Sequence, residues 1–492
     1  MAELRGGVIL WVLAASLAAG AARAAPEGSA STASTAVDRA AVALFDDELP
    51  PVELRRPHFS EDGKGGGDHW AFQFHGYARM PLRFNGGLST TRPPYLVDDN
   101  YYLSGFGYTR VSESEYAELF FSFEKDRTRI VAGLMASQFS DWSETTLQGQ
   151  QGIATAFVEH TLPIIPEVEL GVRAGMFWDR YGYTPAYDTY LLGRFHVAGA
   201  RLSVRLFDLW YTRFGFGAHA DLINANQGFT PAAWFNTGVD LGWLDAGLFI
   251  GSVWTKDSQR EFSIIEDGSC FVIGGEARVA IPHVGPFWVA LGRYSVDAAL
   301  FTAPAWEVLH STGGRGLTQN FLGPDSDNGT GEILATAFTL TWQPHRMVAA
   351  LGAPEESRYL RGLDLNLFGI LARVASNQAS DNPAENFNDR TWVKWGIEPY
   401  YQPPFEGFSW LFAAVRFDRV ILDLDHDSLS FRVITPRIGV MPVTDPKLEI
   451  FLAYSAYSYG ENVRLRPNQI PGDLSITQPD DNMLKLQAQV AW

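Results

Sequence analysis

The 492-residue chain holds a single cysteine, Cys270, so no disulfide can close within it. Past its first residues no stretch approaches the ~18 uninterrupted apolar residues of a membrane helix. Positive charge is scarce: 38 Lys and Arg stand against 56 Asp and Glu, a net charge of −18, which argues against nucleic acid as a partner. The ten histidines fall in no HExxH or related spacing, so neither a catalytic metal nor a cofactor is expected. No G-x-S-x-G elbow is present. What the chain has in quantity is rings and glycines, with 33 Phe, 18 Tyr, 15 Trp and 47 Gly. That pairing suits strands and tight turns better than helices.

The N-terminus reads as an export signal. Arg5 precedes an apolar stretch from Val8 to Ala19, and small residues stand at Ala22 and Ala24. Residues 1–24 are therefore expected to be a signal peptide cut after Ala24. Residues 25–70 are rich in Ala, Ser, Thr and Pro, then charged, and read as a flexible periplasmic leader.

From residue 71 to residue 492 the pattern changes. In "FQFHGYARMPLRF" the residues Phe72, Phe74, Gly76, Ala78, Met80, Leu82 and Phe84 share one face. Gln73, His75, Tyr77, Arg79 and Arg83 share the other. A period of two held this long signals a strand with one oily and one polar side. The pattern recurs in "EVELGVRAGM", where Glu169 and Arg173 oppose Leu170 and Val172. It recurs in "RLSVRL", where Arg201 and Arg205 oppose Leu202 and Val204, and again in "FVIGGEARVAI". About eighteen such segments of membrane-spanning length follow one another.

Alternation alone also fits a soluble sandwich. The connections discriminate. One set is turn-like, as in "KDRT", "GWLD" and "PHVG"; the other is long and polar, as in 85–112, 179–197 and 298–330. The link 343–358 is the exception, long where a short turn was due. Short turns on one rim and long loops on the other predict an all-β fold: a transmembrane antiparallel β-barrel of about eighteen strands in the cell outer membrane. The last residues, "MLKLQAQVAW", alternate to the end. They are expected to be the closing strand, with Trp492 at the membrane interface.

With the oily faces turned to lipid, the opposite faces line the interior. A barrel of this size predicts a wet lumen lined by charges of both signs. The segment 179–196 carries Tyr183 and Tyr187 among four tyrosines, with Asp179, Arg180, Asp188 and Arg194. It reads either as an inward-folding constriction whose rings stack on sugars or as a rim loop in the interfacial belt. Asp423, Asp425 and Asp427 alternate in an outer loop, but no glycine turn or closing Glu follows, so a solvated acidic loop is expected. Arg293 shares parity with the oily Val289 and Leu291, which places it at the outer rim or at a bulge.

"FHGYAR" at 74–79, opening an exported chain of about eighteen strands, resembles the first strand of the maltoporin (sugar porin) family. The resemblance implies passive diffusion of small hydrophilic solutes or oligosaccharides, with carbohydrate selectivity. It assigns Tyr77 to an aromatic slide and Arg79 to a polar track beside it, and it implies a homotrimer. Ala491 departs from the aromatic that family places at the penultimate position. The resulting path residues are Tyr77, Arg79, Arg83, Arg173, Tyr183, Tyr187, Arg201 and Arg205. A general porin is the alternative. A barrel enzyme or an adhesin is the reading from another class, and an enzyme needs a nucleophile–base pair at one rim.

Overall fold

The computed structural model describes residues 70–85, 116–137, 151–180, 194–219, 230–255, 258–260, 263–265, 268–297, 330–353, 358–376, 390–405, 407–421, 424–425, 430–444, 447–459 and 481–491. The signal peptide, the leader up to residue 69, Trp492 and the loop tyrosines Tyr183 and Tyr187 lie outside the described residues.

The first part of the wall contains β1 (Ala71–Asn85), β2 (Tyr116–Lys125), β3 (Thr128–Ser137), β4 (Gln151–Ile165), β5 (Val168–Arg180) and β6 (Arg194–Leu206). It continues with β7 (Trp210–His219), β8 (Thr230–Asp240) and β9 (Leu244–Thr255). A small hairpin, β10 (Ser258–Arg260) and β11 (Ser263–Ile265), stands apart from the main sheet inside a connection that the sequence reads as loop. The wall resumes with β12 (Gly268–Ile281), β13 (Gly285–Asp297), β14 (Thr330–Trp342), β15 (Leu363–Ser376) and β16 (Arg390–Tyr401). It ends with β17 (Leu411–Ile421), β18 (Ser430–Thr444), β19 (Lys447–Tyr459) and β20 (Asp481–Ala491).

These form one 18-stranded antiparallel sheet that closes on itself. β20 pairs with β19 on one side and with β1 on the other, Leu486 facing both Leu452 and Leu82. The last described strand is the seam, as the alternation of 483–491 predicts. Short turns join strands at one rim, as at Asp126–Arg127 and at residues 241–243 and 282–284. The long link after β14 is where the short-turn pattern breaks, and it folds into a short helix, α1 (Pro344–Ala350), and a 3-10 turn, Arg358–Leu360. Proline at the first helical position explains the start, since its missing N–H is unbonded there in any helix.

The two faces separate by polarity. Met80, Leu82, Phe214, Phe216, Leu248, Ile438 and many similar side chains stand exposed on the outside. An apolar belt of this extent needs hydrocarbon around it, not water. No helix among the described residues is long and apolar enough to cross a membrane. The strands do the crossing, and the molecule is a multi-pass outer-membrane β-barrel. Arg293 sits on the outer face with no bulge, because its register with β12 and β14 is continuous.

Depth within the belt sets the cost of a charge. Ile250 lies midway along β9 on the outer face, whereas Val204 lies two residues from the end of β6. Ile250→Arg should destabilise the barrel by about 2–4 kcal/mol and Val204→Arg by about 0–1 kcal/mol. Urea titration of refolding into phosphatidylcholine vesicles, read by the heat-modifiable gel shift, measures both. Equal effects would overturn this placement of the belt.

Candidate functional site: the inner wall

The inner face solves a packing problem that its polar residues do not advertise. It carries large rings, and several sit over the glycine directly across the ladder. Phe120 covers Gly133, where a Cβ would come within 2.6 Å of its ring. Trp234 covers Gly215, Phe249 covers Gly274 and Phe368 covers Gly396, each ring occupying the space of the missing Cβ. The Phe412 ring covers Gly439 from one neighbouring strand, and the Phe451 Cβ closes on it from the other. The rings are almost wholly buried as a result.

Cations form the next layer. The Arg173 guanidinium lies 4.3 Å from the centre of the Phe157 ring, and that of Arg416 lies 4.6 Å from Phe368. Arg437 sits above Phe412 and Phe451 at 5.6 and 5.3 Å, with the Lys485 ammonium 5.6 Å from Phe451. Such contacts hold a desolvated cation by the negative face of the ring.

Carboxylates complete the layer. On one rung across β3, β4, β5 and β6 the register aligns Arg129, Glu159, Arg173 and Arg201. Glu159 accepts from Arg173 at 3.0 Å and from Arg201 at 2.8 Å, one oxygen each. Arg129 reaches Glu124 at 3.0 Å. On the far wall Arg416 donates through Nε and Nη2 to the two oxygens of Asp418, at 2.8 and 2.7 Å, and both residues are 1% exposed. Arg437 donates to Glu398 at 3.3 Å. A third group lies near the short-turn rim, where Arg278 and Tyr211 both donate to Asp245 and the Trp288 indole donates to Glu276. A buried charge costs several kcal/mol unless paired, so these groups hold one another in place.

The path residues read from the sequence separate into kinds. Arg173 and Arg201 are on the inner face and joined through Glu159, but at 2% and 7% exposure they belong to the sealed wall. Arg205 is half-buried and turns to the rim, donating to the Asp208 carbonyl and carboxylate at 3.1 Å. Tyr77 and Arg79 stand half-buried on β1, two residues apart on one face. Tyr77 donates to Gln489 on β20 at 3.2 Å. Arg83 occupies an inward position opposite Lys485, and its side chain is outside the described residues. Tyr183 and Tyr187 lie outside the described residues.

Sequence reading missed the ring-on-glycine layer, because it sorted the inner face by charge. Half-buried Arg213, whose guanidinium is 5.0 Å from the Tyr211 ring, was missed with it. Among the described residues no group of three His, Cys, Asp or Glu is placed to hold a metal ion.

No protein-family model and no curated protein matches the chain. Solved structures do. OmpT, an outer membrane protein of Vibrio cholerae, matches with a TM-score of 0.39 and 10% identity, over 86% of this chain and 98% of that one. OccD3 (OpdP) of Pseudomonas aeruginosa matches at 0.40 and 8% identity, over 86% and 91%. OpdK of Pseudomonas aeruginosa, solved with vanillate, matches at 0.41 and 9% identity, over 86% and 99%. At these scores the likeness adds nothing to the arguments from geometry.

Glu159 is the negative member between three arginines, so its charge is the part of the rung that cannot be spared. Glu159→Gln should cost about 3 kcal/mol of stability, the penalty for leaving buried cations without their counter-charge. Adding Arg201→Leu should recover part of that loss. Urea-dependent unfolding of the single and double variants decides the point. A silent Glu159→Gln would show the rung to be solvated.

Proposed function

We propose that this protein is an outer-membrane porin, a passive channel for small hydrophilic solutes. One observation carries the reading. The closed 18-stranded wall is apolar outside and carries charges of both signs inside. A membrane barrel built to hold lipid apart from charged side chains has an inner surface suited to water and polar solutes. The purified protein in a planar bilayer should give ohmic conductance steps. A bilayer that stays electrically silent with correctly folded barrel present would overturn the reading.

The finer reading is selectivity for carbohydrates. Tyr77, Arg79 and Gln489 support it, since they gather at the seam with Tyr77 and Arg79 half-buried. A tyrosine ring stacks on the apolar face of a sugar, and guanidinium and amide groups bond its hydroxyls. The resemblance of residues 74–79 to the first strand of maltoporins supports the same reading and carries a homotrimer with it. Cross-linking in native membranes tests that assembly. Against a stacking slide elsewhere stands the burial of the inner rings under cations, which leaves them few open faces.

Tyr77→Ala should weaken the block of ion current by maltodextrins by about 1 kcal/mol, a several-fold rise in half-blocking concentration. Block that survives the change intact removes Tyr77 from the path. An unmodified channel that maltodextrins never block leaves a general porin.

A further inference from the structure

Proline brings no N–H to a ladder, so sheets tolerate it at an edge, at the start of a strand or at a bulge. Most prolines of this wall obey. Pro231 and Pro286 are each second in their strands, and Pro163 and Pro442 stand at shifts of register. Pro81 leaves the pairing of β1 with β20 unbroken. Pro399 on β16 and Pro436 on β18 do not obey. Between β16 and β17 the pairing stops at Ile397↔Phe417 and resumes at Tyr400↔Ala414. Between β18 and β19 it stops at Ile434↔Ala456 and resumes at Arg437↔Ala453. Among the described ladders these are the interruptions that leave register unchanged.

The two breaks lie on one rung. Pro399, Val415, Pro436 and Tyr454 follow one another across β16, β17, β18 and β19, all exposed on the lipid side. Each proline withholds the donor that the facing carbonyl, of Val415 or of Tyr454, would take, and hydrocarbon supplies none. The strands between the breaks form a unit, because β17 and β18 pair without interruption from Leu411↔Val440 to Ile421↔Ser430. On the inner side, side chains bridge where the backbone does not. Thr435 and Ser455 share a hydrogen bond of 2.7 Å across the break between β18 and β19, both buried. Arg437 donates to Glu398 at 3.3 Å, reaching from β18 past β17 to β16.

We propose that the β17–β18 hairpin is a panel of the wall that opens locally, held shut from the lumen side by Thr435–Ser455 and Arg437–Glu398. The breaks reduce the backbone bonds that must part on either side of the hairpin, and local opening follows the weakest set of such bonds. Water from the lumen takes the place of the inner side-chain bonds as the panel moves, a replacement that hydrocarbon could not make. The inference is independent of what the channel carries.

Hydrogen–deuterium exchange of the full-length protein in lipid nanodiscs tests it. Amides of 413–417 and 452–456 should exchange about tenfold faster than those at matching depth on β6, β7 and β8, as the loss of roughly one hydrogen bond on each side requires. Pro399→Val with Pro436→Val restores both donors and should slow these amides to the level of those strands. Pro399→Val alone should slow 413–417 more than 452–456, which keeps the test decisive where the pair does not fold. Thr435→Val with Ser455→Ala removes one inner bond and should speed exchange at 452–456 several-fold. Heat-modifiable mobility shows that each variant is a closed barrel. Exchange no faster than on β6 to β8, or unmoved by the valine substitutions, would overturn the proposal. So would a variant at Thr435 and Ser455 that exchanges as the unaltered protein does.

Discussion

Hydrocarbon offers no hydrogen-bond partner to a peptide group, and the rest of this structure depends on that fact. Each unpaired N–H or C=O in lipid costs several kcal/mol, so a sheet that crosses the membrane can have no edge. The chain meets the condition by placing β20 between β19 and β1. Once the sheet is closed, strand parity determines which side chains meet lipid and which meet the interior. The length of each connection then follows from its rim, short where strands return directly and long on the other side.

Closure fixes the inside as firmly as the outside. Half of the wall residues point inward, onto a concave surface where neighbouring side chains converge. The chain accommodates this by placing glycine opposite a ring, so that the ring takes the space of the missing Cβ and leaves depth for a second layer. Cations occupy that layer because the ring face attracts them. Carboxylates then neutralise the cations, as Glu159 does for Arg173 and Arg201. The inner charges thus serve two purposes. Those at 1–2% exposure, such as Arg416 and Asp418, hold the wall, whereas half-buried ones such as Arg79 and Arg213 stay open to the interior.

The barrel was legible because a period of two is a local signal and survives in any stretch of ten residues. Parity placed Phe72 outside and Tyr77 inside without knowledge of any partner strand. The ring-on-glycine layer was mostly illegible because it is a property of register. Phe120 opposite Gly133 can be read, since the two-residue turn Asp126–Arg127 fixes the alignment of β2 with β3. Phe249 opposite Gly274, or Trp234 opposite Gly215, is set across a long connection whose length says nothing about alignment. A bulge hides the partner of Arg173. Its type and parity marked it as a path residue, but a register shift between Pro163 and Ile165 means that counting back from the short turn at 166–167 does not place Glu159 beside it, and only packing shows it covered.

The seam is where fold and candidate path meet. Tyr77 donates to Gln489 Oε1, as does Gln487, and Gln489 Nε2 in turn donates to Glu449. That chain of bonds crosses β1, β20 and β19, three strands that adjoin one another only when the barrel is shut. Before closure Tyr77 has no Gln489 to orient it, and Arg79 has no partner strand on that side. The polar group proposed to meet a solute is therefore assembled by the same event that seals the backbone against lipid. A barrel held open at this seam would lose its candidate path and its membrane stability together, because one set of cross-strand pairs supplies both.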